Sequence, residues 1–188
     1  MINLSILICT LPERKESYDF IHKKLLNQCF DLGVFCNEVQ ICSYNNNVLT
    51  TGAKRNALLQ MARGKFIVFV DDDDDVSDDY VEKIFFTILK HPYIDCIGIE
   101  GIITTDGAQQ KDWIISVDCK DWYQENDVYY RTPNHISPVR RELALKAGFP
   151  DITYGEDREY SKRLLPLCKN EAKIKGCLYH YQYKTNKF

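Results

Sequence analysis

A run of five consecutive aspartates, Asp71 to Asp75, is the segment of this sequence best suited to chemistry. Adjacent carboxylates repel each other by roughly 1 kcal/mol even in water, so the folded chain needs positive charge nearby. Packed aspartates offer hard oxygen ligands, which favour Mg²⁺, Mn²⁺ or Ca²⁺ over zinc. The run follows the apolar segment 66–70, and open α/β sheets bind ligands outside the carboxyl ends of their strands. The sequence therefore predicts a divalent-cation site at the end of a buried strand.

The acidic run taken alone allows three other interpretations. A solvated acidic loop would cap the next helix, because Asp78 and Asp79 lie near the positive end of its dipole. Carboxylates also fall at several positions of a calcium-binding loop, but Val76 occupies the position that needs glycine. The spacing Asp72-x-Asp74-x-Val76 matches the nucleophile motif of haloacid-dehalogenase-like phosphatases, although that motif belongs on the first strand of its fold.

The elements around the run alternate between strand-like and helix-like patterns through the first half of the chain. That alternation is typical of a parallel sheet covered by helices. The pattern becomes less regular after residue 92, where shorter strands and an aromatic stretch follow. The predicted strands are 4–9, 39–41, 66–70, 94–99, 102–105, 113–117 and 172–181, with a turn at Asp106-Gly107, and the predicted helices are 18–30, 53–63, 81–88, 142–147 and 156–167.

Composition restricts the class of protein. A length of 188 residues with 45% hydrophobic and 27% charged residues fits one folded domain. A net charge of −3 and a pI near 5.8 give no basic field for nucleic acid or an anionic membrane. The apolar stretch near the start is too short to span a bilayer and lacks the cationic lead of a signal peptide. We therefore expect a soluble, cytoplasmic chain with no nucleic-acid partner and no integral membrane segment.

Cysteine usage favours free thiols. A chain of this length can form a core without disulfides, and no C-x-x-C pair suggests zinc. Most of the cysteines lie within apolar runs, so we predict buried, reduced side chains. The eight cysteines are Cys9, Cys29, Cys36, Cys42, Cys96, Cys119, Cys168 and Cys177.

The neighbours of the acidic run add a family resemblance. A helix bearing an Arg-Asn pair leads through Ala-x-Gly-Lys into a strand that ends in aspartates, which resembles the signature of the inverting GT-A glycosyltransferases of family two and their DxD motif. Three further segments resemble the first strand, the downstream Glu-Asp motif and a C-terminal strand of that family. The matching segments are Gly52-Ala53-Lys54-Arg55-Asn56, 62–74, 5–10, Gly155-Glu156-Asp157 with Arg163-Leu164, and Leu178-Tyr179-His180-Tyr181.

The resemblance implies a fold and an activity. The fold would be α/β, of the GT-A type, a Rossmann-like nucleotide-diphospho-sugar transferase fold with a mostly parallel central sheet flanked by helices. Residues 1–188 would form one domain, with about 1–100 binding the nucleotide sugar and about 101–188 binding the acceptor and carrying the catalytic base. The activity would be metal-dependent transfer, with inversion, of a sugar from a nucleotide-diphosphate donor to a hydroxyl of a glycan or other acceptor, with Mn²⁺ or Mg²⁺ as cofactor.

The resemblance also implies roles for single residues of the donor site. Asp73 is the expected metal ligand, and Asp71 is expected near the ribose or the metal. Arg55 is the expected nucleotide or diphosphate contact, with Lys54 as a helper, although a solvated surface-helix position is the alternative for both. The other residues expected to line the nucleotide pocket are Thr10, Leu11, Arg14, Asn45 and Asp72, and Arg14 is alternatively a solvated cation.

This chain differs from the family pattern at the segment that recognises the nucleobase of the sugar donor. Family members usually carry an Asp-Asp-Gly-Ser type segment after the second strand, whose first aspartate reads uracil, whereas this chain has Ser43-Tyr44-Asn45-Asn46. An asparagine amide also hydrogen-bonds a base edge. We therefore favour a UDP-sugar and keep GDP- and dTDP-sugars as alternatives.

The Glu-Asp motif supplies two candidate catalytic carboxylates. Helical spacing puts Asp157 on one face with Tyr160 and Leu164, which predicts that Asp157 turns into the cleft as general base and that Glu156 lies off that face. The alternative for Asp157 is a helix cap.

Three further residues have less specific predictions. Strand parity puts His180 with Ile174 and Leu178, facing the interior, where it is either a hydrogen-bonded core histidine or a contact to the metal or the diphosphate. His135 and Arg140 are assigned to the acceptor side.

Two other functions stay open at this level. A sugar nucleotidyltransferase needs a glycine-rich loop after the first strand, and residues 10–14 contain no glycine. A non-catalytic module that binds calcium or another divalent metal would not need the carboxylate of Asp157.

Overall fold

The computed structural model describes residues 2–34 and 37–185, and all ten strands in those ranges belong to one sheet. The strands are β1 (Leu4–Thr10), β2 (Val39–Asn45), β3 (Phe66–Phe69), β4 (Asp75–Val76), β5 (Cys96–Thr105), β6 (Ala108–Ile115), β7 (Tyr123–Glu125), β8 (Val128–Arg131), β9 (Val139–Arg140) and β10 (Glu171–Tyr183). The helices are α1 (Lys15–Asp31), α2 (Thr51–Met61), α3 (Tyr80–Lys90), α4 (Arg141–Ala147) and α5 (Glu156–Leu164), with short 3₁₀ turns at Pro12–Arg14 and Leu165–Leu167.

A parallel block of three strands forms the N-terminal half of the sheet. β1 lies between β2 and β3 and is parallel to both. Every residue of β1 is buried, because strands flank it on two sides and helices cover both faces. The segment that leads into β3 passes close to β1. A Cβ at Gly64 in that segment would lie only 2.5 Å from the backbone nitrogen of Ser5. That contact explains the glycine in the segment between α2 and β3.

The second half of the sheet continues from β3 through the short strand β9 to β5, and then to β6, β8 and β7. β5 pairs antiparallel with β6 and parallel with β10. The two longest ladders, β1–β2 and β5–β10, are parallel, whereas several antiparallel pairs involve the short strands β4, β7 and β9. The predicted α/β class, with a mostly parallel sheet flanked by helices, is confirmed.

The element boundaries differ from the sequence prediction mainly around β5. We expected two strands over 94–99 and 102–105, separated near Gly101, but the structure has one. Gly101 does not break the strand; it permits close packing, since a Cβ there would lie 2.2 Å from the carbonyl oxygen of Tyr179. The turn at Asp106-Gly107 is confirmed. The strands β4, β7, β8 and β9 are too short to produce a readable period and were not predicted.

The core has two layers, one on each face of the sheet. Ile6 and Ile8 of β1 pack in the layer that contains the apolar faces of α1 and α3. Leu7 and Cys9 pack in the other layer, with residues of α2, α4 and α5. The alternation of side chains along β1 therefore separates the layers. It also puts α2 and α5, which carry the candidate site residues Arg55 and Asp157, on the same face of the sheet.

Two properties expected from composition can be compared with the structure. Six of the predicted buried thiols are buried and reduced, whereas Cys177 is exposed and Cys36 lies outside the described residues. Within residues 2–34 and 37–185, no helix is both long and apolar enough to cross a membrane.

Candidate active site

A cleft of about 670 Å³ opens beside the carboxyl ends of β1 and β3. Residues from both halves of the sheet line it, which is the position expected for the ligand site of an open α/β sheet. Eleven of the residues singled out from the sequence line this cleft, namely Thr10, Leu11, Arg14, Lys54, Arg55, Asp71, Asp72, Asp73, His135, Glu156 and Asp157.

Arg55 lies at the floor of the cleft and is only 3% exposed. Its Nη2 is 3.0 Å from Oδ1 of Asp71, and its Nε is 3.4 Å from Oε1 of Glu156. The guanidinium also packs against the rings of Phe69 and Phe149. A buried charge is tolerated only when it is paired, so this ion-pair cluster requires α2, β3 and α5 to keep their relative positions.

The loop before α5 is attached directly to α2. The backbone nitrogen of Gly52 donates to the carbonyl oxygen of Ile152, and the amide group of Asn56 both donates to and accepts from the backbone of Phe149. A Cβ at Gly52 would lie 1.8 Å from the carbonyl oxygen of Pro150, so only glycine permits this approach. These contacts explain why Arg55 and the Glu-Asp segment meet although about a hundred residues separate them.

Asp71 is held as an anion. Burial by itself raises the pKa of Asp71. The positive charge of Arg55 and the interaction with His135 lower that pKa by more than burial raises it, so the pKa lies well below the usual range. His135 Nε2 lies 3.2 Å from Oδ2 of Asp71. The structure therefore places His135 beside the acidic run, and its assignment to the acceptor side stays a prediction. Arg140 lies away from the cleft, where it hydrogen-bonds the carbonyl oxygen of Pro92 and stacks on Phe66.

Arg14 neutralises the next two carboxylates. Its Nη1 is 2.9 Å from Oδ1 of Asp72 and 3.4 Å from Oδ2 of Asp73. Asp72 is buried, and its Oδ2 has no hydrogen-bond partner among the described residues. Asp73 is half-buried and lines the cleft. The solvated alternative for Arg14 is therefore wrong, because the side chain is fixed by two carboxylates.

The last two aspartates of the run have different surroundings. Asp74 is buried and accepts hydrogen bonds from the hydroxyl of Tyr179 at 2.8 Å and from the backbone nitrogen of Gln182 at 2.7 Å. Burial, assisted by the charge of Asp71, raises the pKa of Asp74 well above its usual value. Asp75 pairs with Lys24 of α1 at 2.9 Å. The chain itself thus supplies much of the positive charge that the repulsion within the run requires.

The hydroxyl of Tyr179 hydrogen-bonds two residues of the acidic run, so it should contribute to the free energy of unfolding. The hydroxyl accepts from the backbone nitrogen of Asp71 at 3.1 Å and donates to Asp74. Tyr179→Phe leaves both buried groups short of a partner, and we expect it to lower the free energy of unfolding by about 1–3 kcal/mol in urea titrations.

Tyr80→Phe is the matched control for this variant. Tyr80 is also fully buried, with its ring centroid 6.5 Å from that of Tyr179, but its hydroxyl has no hydrogen-bond partner among the described residues. We expect Tyr80→Phe to be neutral or stabilising. Equal losses in both variants would contradict a bridging role for the Tyr179 hydroxyl.

In the structure, Glu156 rather than Asp157 lies on the buried face of α5, contrary to the prediction. Glu156 shares the buried face of α5 with Tyr160 and Leu164, at intervals of four residues, whereas Asp157 is half-buried. The expectation that Glu156 lies off the buried face is therefore wrong. Burial raises the pKa of Glu156, and the charge of Arg55 opposes that rise. Both carboxylates line the cleft, but only Glu156 is paired with a buried cation.

Two of the predicted site residues lie outside the cleft lining. Asn45 is exposed at the end of β2. The side chain of Asn46 accepts from the backbone nitrogens of Val48 and Leu49, which closes the following turn. His180 Nε2 is 2.9 Å from the hydroxyl of Thr104. This contact matches the first alternative given for His180, a hydrogen-bonded histidine.

A change of register in β10 explains the position of His180. The pairing with β5 shifts between Lys173 and Tyr179, so the alternation that relates Ile174 to residues beyond the shift does not hold. Tyr179 contacts the acidic run, and Tyr181 lines the cleft. Sequence reasoning missed both tyrosines, although alternation counted from the far end of the strand would have found them.

Lys54 also faces the cleft and is only 5% exposed. Among the described residues, no carboxylate forms an ion pair with it, in contrast to Arg14 and Arg55. The surface alternative for Lys54 and Arg55 is therefore wrong. A buried ammonium without a carboxylate partner is suited to binding an anionic ligand.

Solved structures with the same fold include those of S. aureus TarS. The crystal structure of S. aureus TarS 1-349 in complex with UDP-GlcNAc aligns with a TM-score of 0.71 at 16% sequence identity, covering 99% of this chain and 60% of that chain. The complex of S. aureus TarS 1-349 with UDP gives a TM-score of 0.69 at 16% identity, covering 96% and 60%. This chain therefore spans less than two thirds of the length of those chains, and the likeness concerns the fold.

Sequence comparison supplies the family. No curated protein matches this sequence at a significant level. The family model for Glycosyl transferase family 2 matches residues 23–144, which include α2, β3 and the whole acidic run. That match covers well over half of the chain and agrees with the resemblance found in its motifs. The chain belongs to glycosyl transferase family 2, a family of enzymes that transfer sugars.

Proposed function

We propose that this protein is a metal-dependent inverting glycosyltransferase that moves a sugar from UDP to an acceptor hydroxyl. The observation that carries the proposal is the cleft itself, in which a half-buried carboxylate, Asp157, faces the same space as the acidic run and the buried cation Lys54. The complexes of S. aureus TarS with UDP and UDP-GlcNAc support UDP as the nucleotide here.

The acidic run fits a divalent cation only if phosphates of the nucleotide sugar complete the set of metal ligands. Among residues 2–34 and 37–185, no three His, Cys, Asp or Glu side chains are grouped closely enough to hold a metal by themselves. Mg²⁺ commonly takes one or two carboxylates and completes its shell with waters and substrate phosphates. Asp73 and the unpartnered Oδ2 of Asp72 are hard oxygen donors of that kind, and Asp71 lies beside them. One or two of these carboxylates, Asp73 first among them, would hold Mn²⁺ or Mg²⁺ together with the phosphates of the nucleotide sugar.

The donor half would bind the nucleotide diphosphate. A bound metal would neutralise charge on the leaving diphosphate. Lys54 and Arg14 supply positive charge near the same carboxylates, and Thr10 and Leu11 line the adjoining wall. Arg55 holds Asp71 and Glu156 in place, because its charge is already used by those two carboxylates. Arg55 is thus a positioning residue in this proposal, which refines the expected direct diphosphate contact.

The acceptor half would supply the base. Inversion by direct displacement requires the acceptor oxygen to attack the anomeric carbon from the side opposite the leaving diphosphate. A carboxylate on the acceptor side takes the hydroxyl proton as that bond forms. Asp157 is accessible in the cleft, whereas Glu156 is buried against Arg55, so we assign the proton transfer to Asp157.

The identity of the nucleotide can be tested by ligand stabilisation. We expect UDP with Mn²⁺ to raise the melting temperature more than GDP or dTDP with Mn²⁺, since a ligand that binds only the folded state stabilises it by mass action. The shift should shrink when Mn²⁺ is omitted. A larger shift with GDP or dTDP would contradict the UDP assignment and leave the rest of the proposal in place, whereas no shift with any nucleotide would contradict the donor site.

A further inference from the structure

Arg131 is a cation of the cleft with no carboxylate partner. It ends β8 and lines the cleft together with Trp122 and Tyr129. No Asp or Glu in the described ranges 2–34 and 37–185 forms an ion pair with it within 4.0 Å. Arg14 and Arg55 in the same cleft are each paired with two carboxylates. The charge of Arg131 is therefore available for a ligand.

Two aromatic rings fix the guanidinium of Arg131. Its Cζ lies 4.3 Å from the ring centroid of Trp122 and 5.5 Å from that of Tyr129. The indole of Trp122 is itself held, because its Nε1 donates to the hydroxyl of Thr132 at 2.9 Å. Contacts with ring faces stabilise the cation and leave the N–H groups at its edge unused. The side chain is thus oriented in advance for a planar, bidentate anion.

The surroundings of Arg131 make an unpaired charge costly. The side chain is half-buried, and burial lowers the pKa of Arg131, while the negative charge of Asp157 acts in the opposite direction. A half-buried guanidinium loses hydration that the rings replace only in part. An anionic ligand would offset that loss.

The position of Arg131 indicates which substrate would bring the anion. The candidate donor site already contains Arg14 and Lys54, on the elements next to the acidic run. Arg131 lies instead on β8, in the half of the chain that carries Asp157, and both residues line the same cleft. The acceptor hydroxyl must reach Asp157 to lose its proton. A negative group close to that hydroxyl would meet Arg131.

We propose that Arg131 forms an anion-binding subsite for the acceptor, so that the acceptor carries a phosphate or carboxylate near the hydroxyl that receives the sugar. The inference rests on the proposed function, since it takes the Asp157 side of the cleft as the acceptor side. Aromatic side chains of the same wall, Tyr129 and Tyr181, provide apolar surface for the carbon skeleton of such a molecule.

Three probes that differ at one carbon test this subsite. They are methyl glucoside, methyl glucoside 6-phosphate and methyl glucuronide, which are neutral, phosphorylated and carboxylated at the same position. Each is titrated into the protein with UDP and Mn²⁺ present, and binding is followed by calorimetry or by protein NMR shifts. We expect the two anionic probes to bind the wild type at least about tenfold more tightly than the neutral probe, and the comparison of phosphate with carboxylate identifies the preferred anion.

Variants separate an anion subsite from other roles of Arg131. Arg131→Gln should abolish the preference for anionic probes, and Arg131→Lys should restore part of it, because an ammonium keeps the charge but not the fork geometry. Arg63→Gln is the matched control, since Arg63 is exposed and lies outside the cleft lining. It should keep the wild-type preference. The affinity for UDP should be the same in all four proteins.

Each contrary result has its own meaning. Equal binding of neutral and anionic probes to the wild type, no binding of any probe, or a preference that survives in Arg131→Gln would overturn the proposal. A loss of UDP affinity in Arg131→Gln would also overturn it, because the guanidinium would then contact the donor. Failure of the wild type to bind UDP would contradict the proposed function instead, and the titrations repeated without UDP would still report on the anion preference.

Discussion

Asp157→Asn should slow sugar transfer by about 10²- to 10⁴-fold while leaving donor binding intact, because that is the usual contribution of a positioned general base. The carboxylate lines the cleft and is half-buried, and its Oδ1 accepts a hydrogen bond from the backbone nitrogen of Arg158. An amide keeps the volume of the side chain but cannot take a proton. The rate of transfer under saturating donor and the affinity for UDP measure the two parts of this expectation.

Two carboxylate variants of α5 sharpen the test. Glu156→Gln removes a charge that faces Arg55 at 3.4 Å, so we expect it to lower thermal stability and to slow transfer less than Asp157→Asn. Glu159→Gln is the control, since Glu159 pairs with Lys162 and lies outside the cleft lining. Near-normal turnover of Asp157→Asn, or a dead Glu156→Gln with normal stability, would show that the base is misassigned.

Asp73→Asn should reduce transfer at least about a hundredfold, as expected when one charged group that stabilises a leaving anion is removed. The substitution changes charge but little volume, so the fold should persist. The binding of UDP should also lose its dependence on Mn²⁺, because Asp73 lines the cleft and is the more exposed of the two carboxylates beside Arg14. Chelator added to the wild-type enzyme should have the same effect on transfer and should be reversed by excess Mn²⁺ or Mg²⁺.

Asp78→Asn provides the control for charge alone. The side chain of Asp78 is 98% exposed and lies outside the cleft lining, yet it belongs to the same acidic segment. Its substitution should leave transfer and the Mn²⁺ dependence unchanged. Full activity of the wild type in excess chelator would exclude the metal from the mechanism, and Arg14 and Lys54 would then be the groups that neutralise the diphosphate.

Local sequence patterns predicted the N-terminal half of the fold well. The apolar strands β1 and β3 and the amphipathic helices α1 and α3 have long, regular hydrophobic patterns, and their positions were predicted to within a few residues. Such patterns depend on near neighbours in the chain, so they are visible without a structure. The acidic run and the Lys54-Arg55 pair were recognised for the same reason, since both follow directly from residue type and spacing.

Local patterns failed where several elements decide the environment of one side chain. The face of α5 that is buried depends on where Arg55 lies on another helix, and this interaction brings Glu156 rather than Asp157 inward. The register shift in β10 depends on its pairing with β5. Beyond the shift the side chain of Tyr179 contacts Asp71 and Asp74, whereas the ring of His180 contacts Thr104.

The sequence by itself determined the family, the parallel strands of the N-terminal half and the set of charged residues at the cleft. Only the tertiary structure decided how those charges are divided among partners. Arg14, Arg55 and Lys24 each pair with aspartates of the acidic run that lie 16 to 58 residues away along the chain, whereas no carboxylate in the described residues pairs with Lys54 or Arg131. The physical reason is that ion pairing depends on distance and burial in three dimensions, and the chain order does not encode either quantity directly.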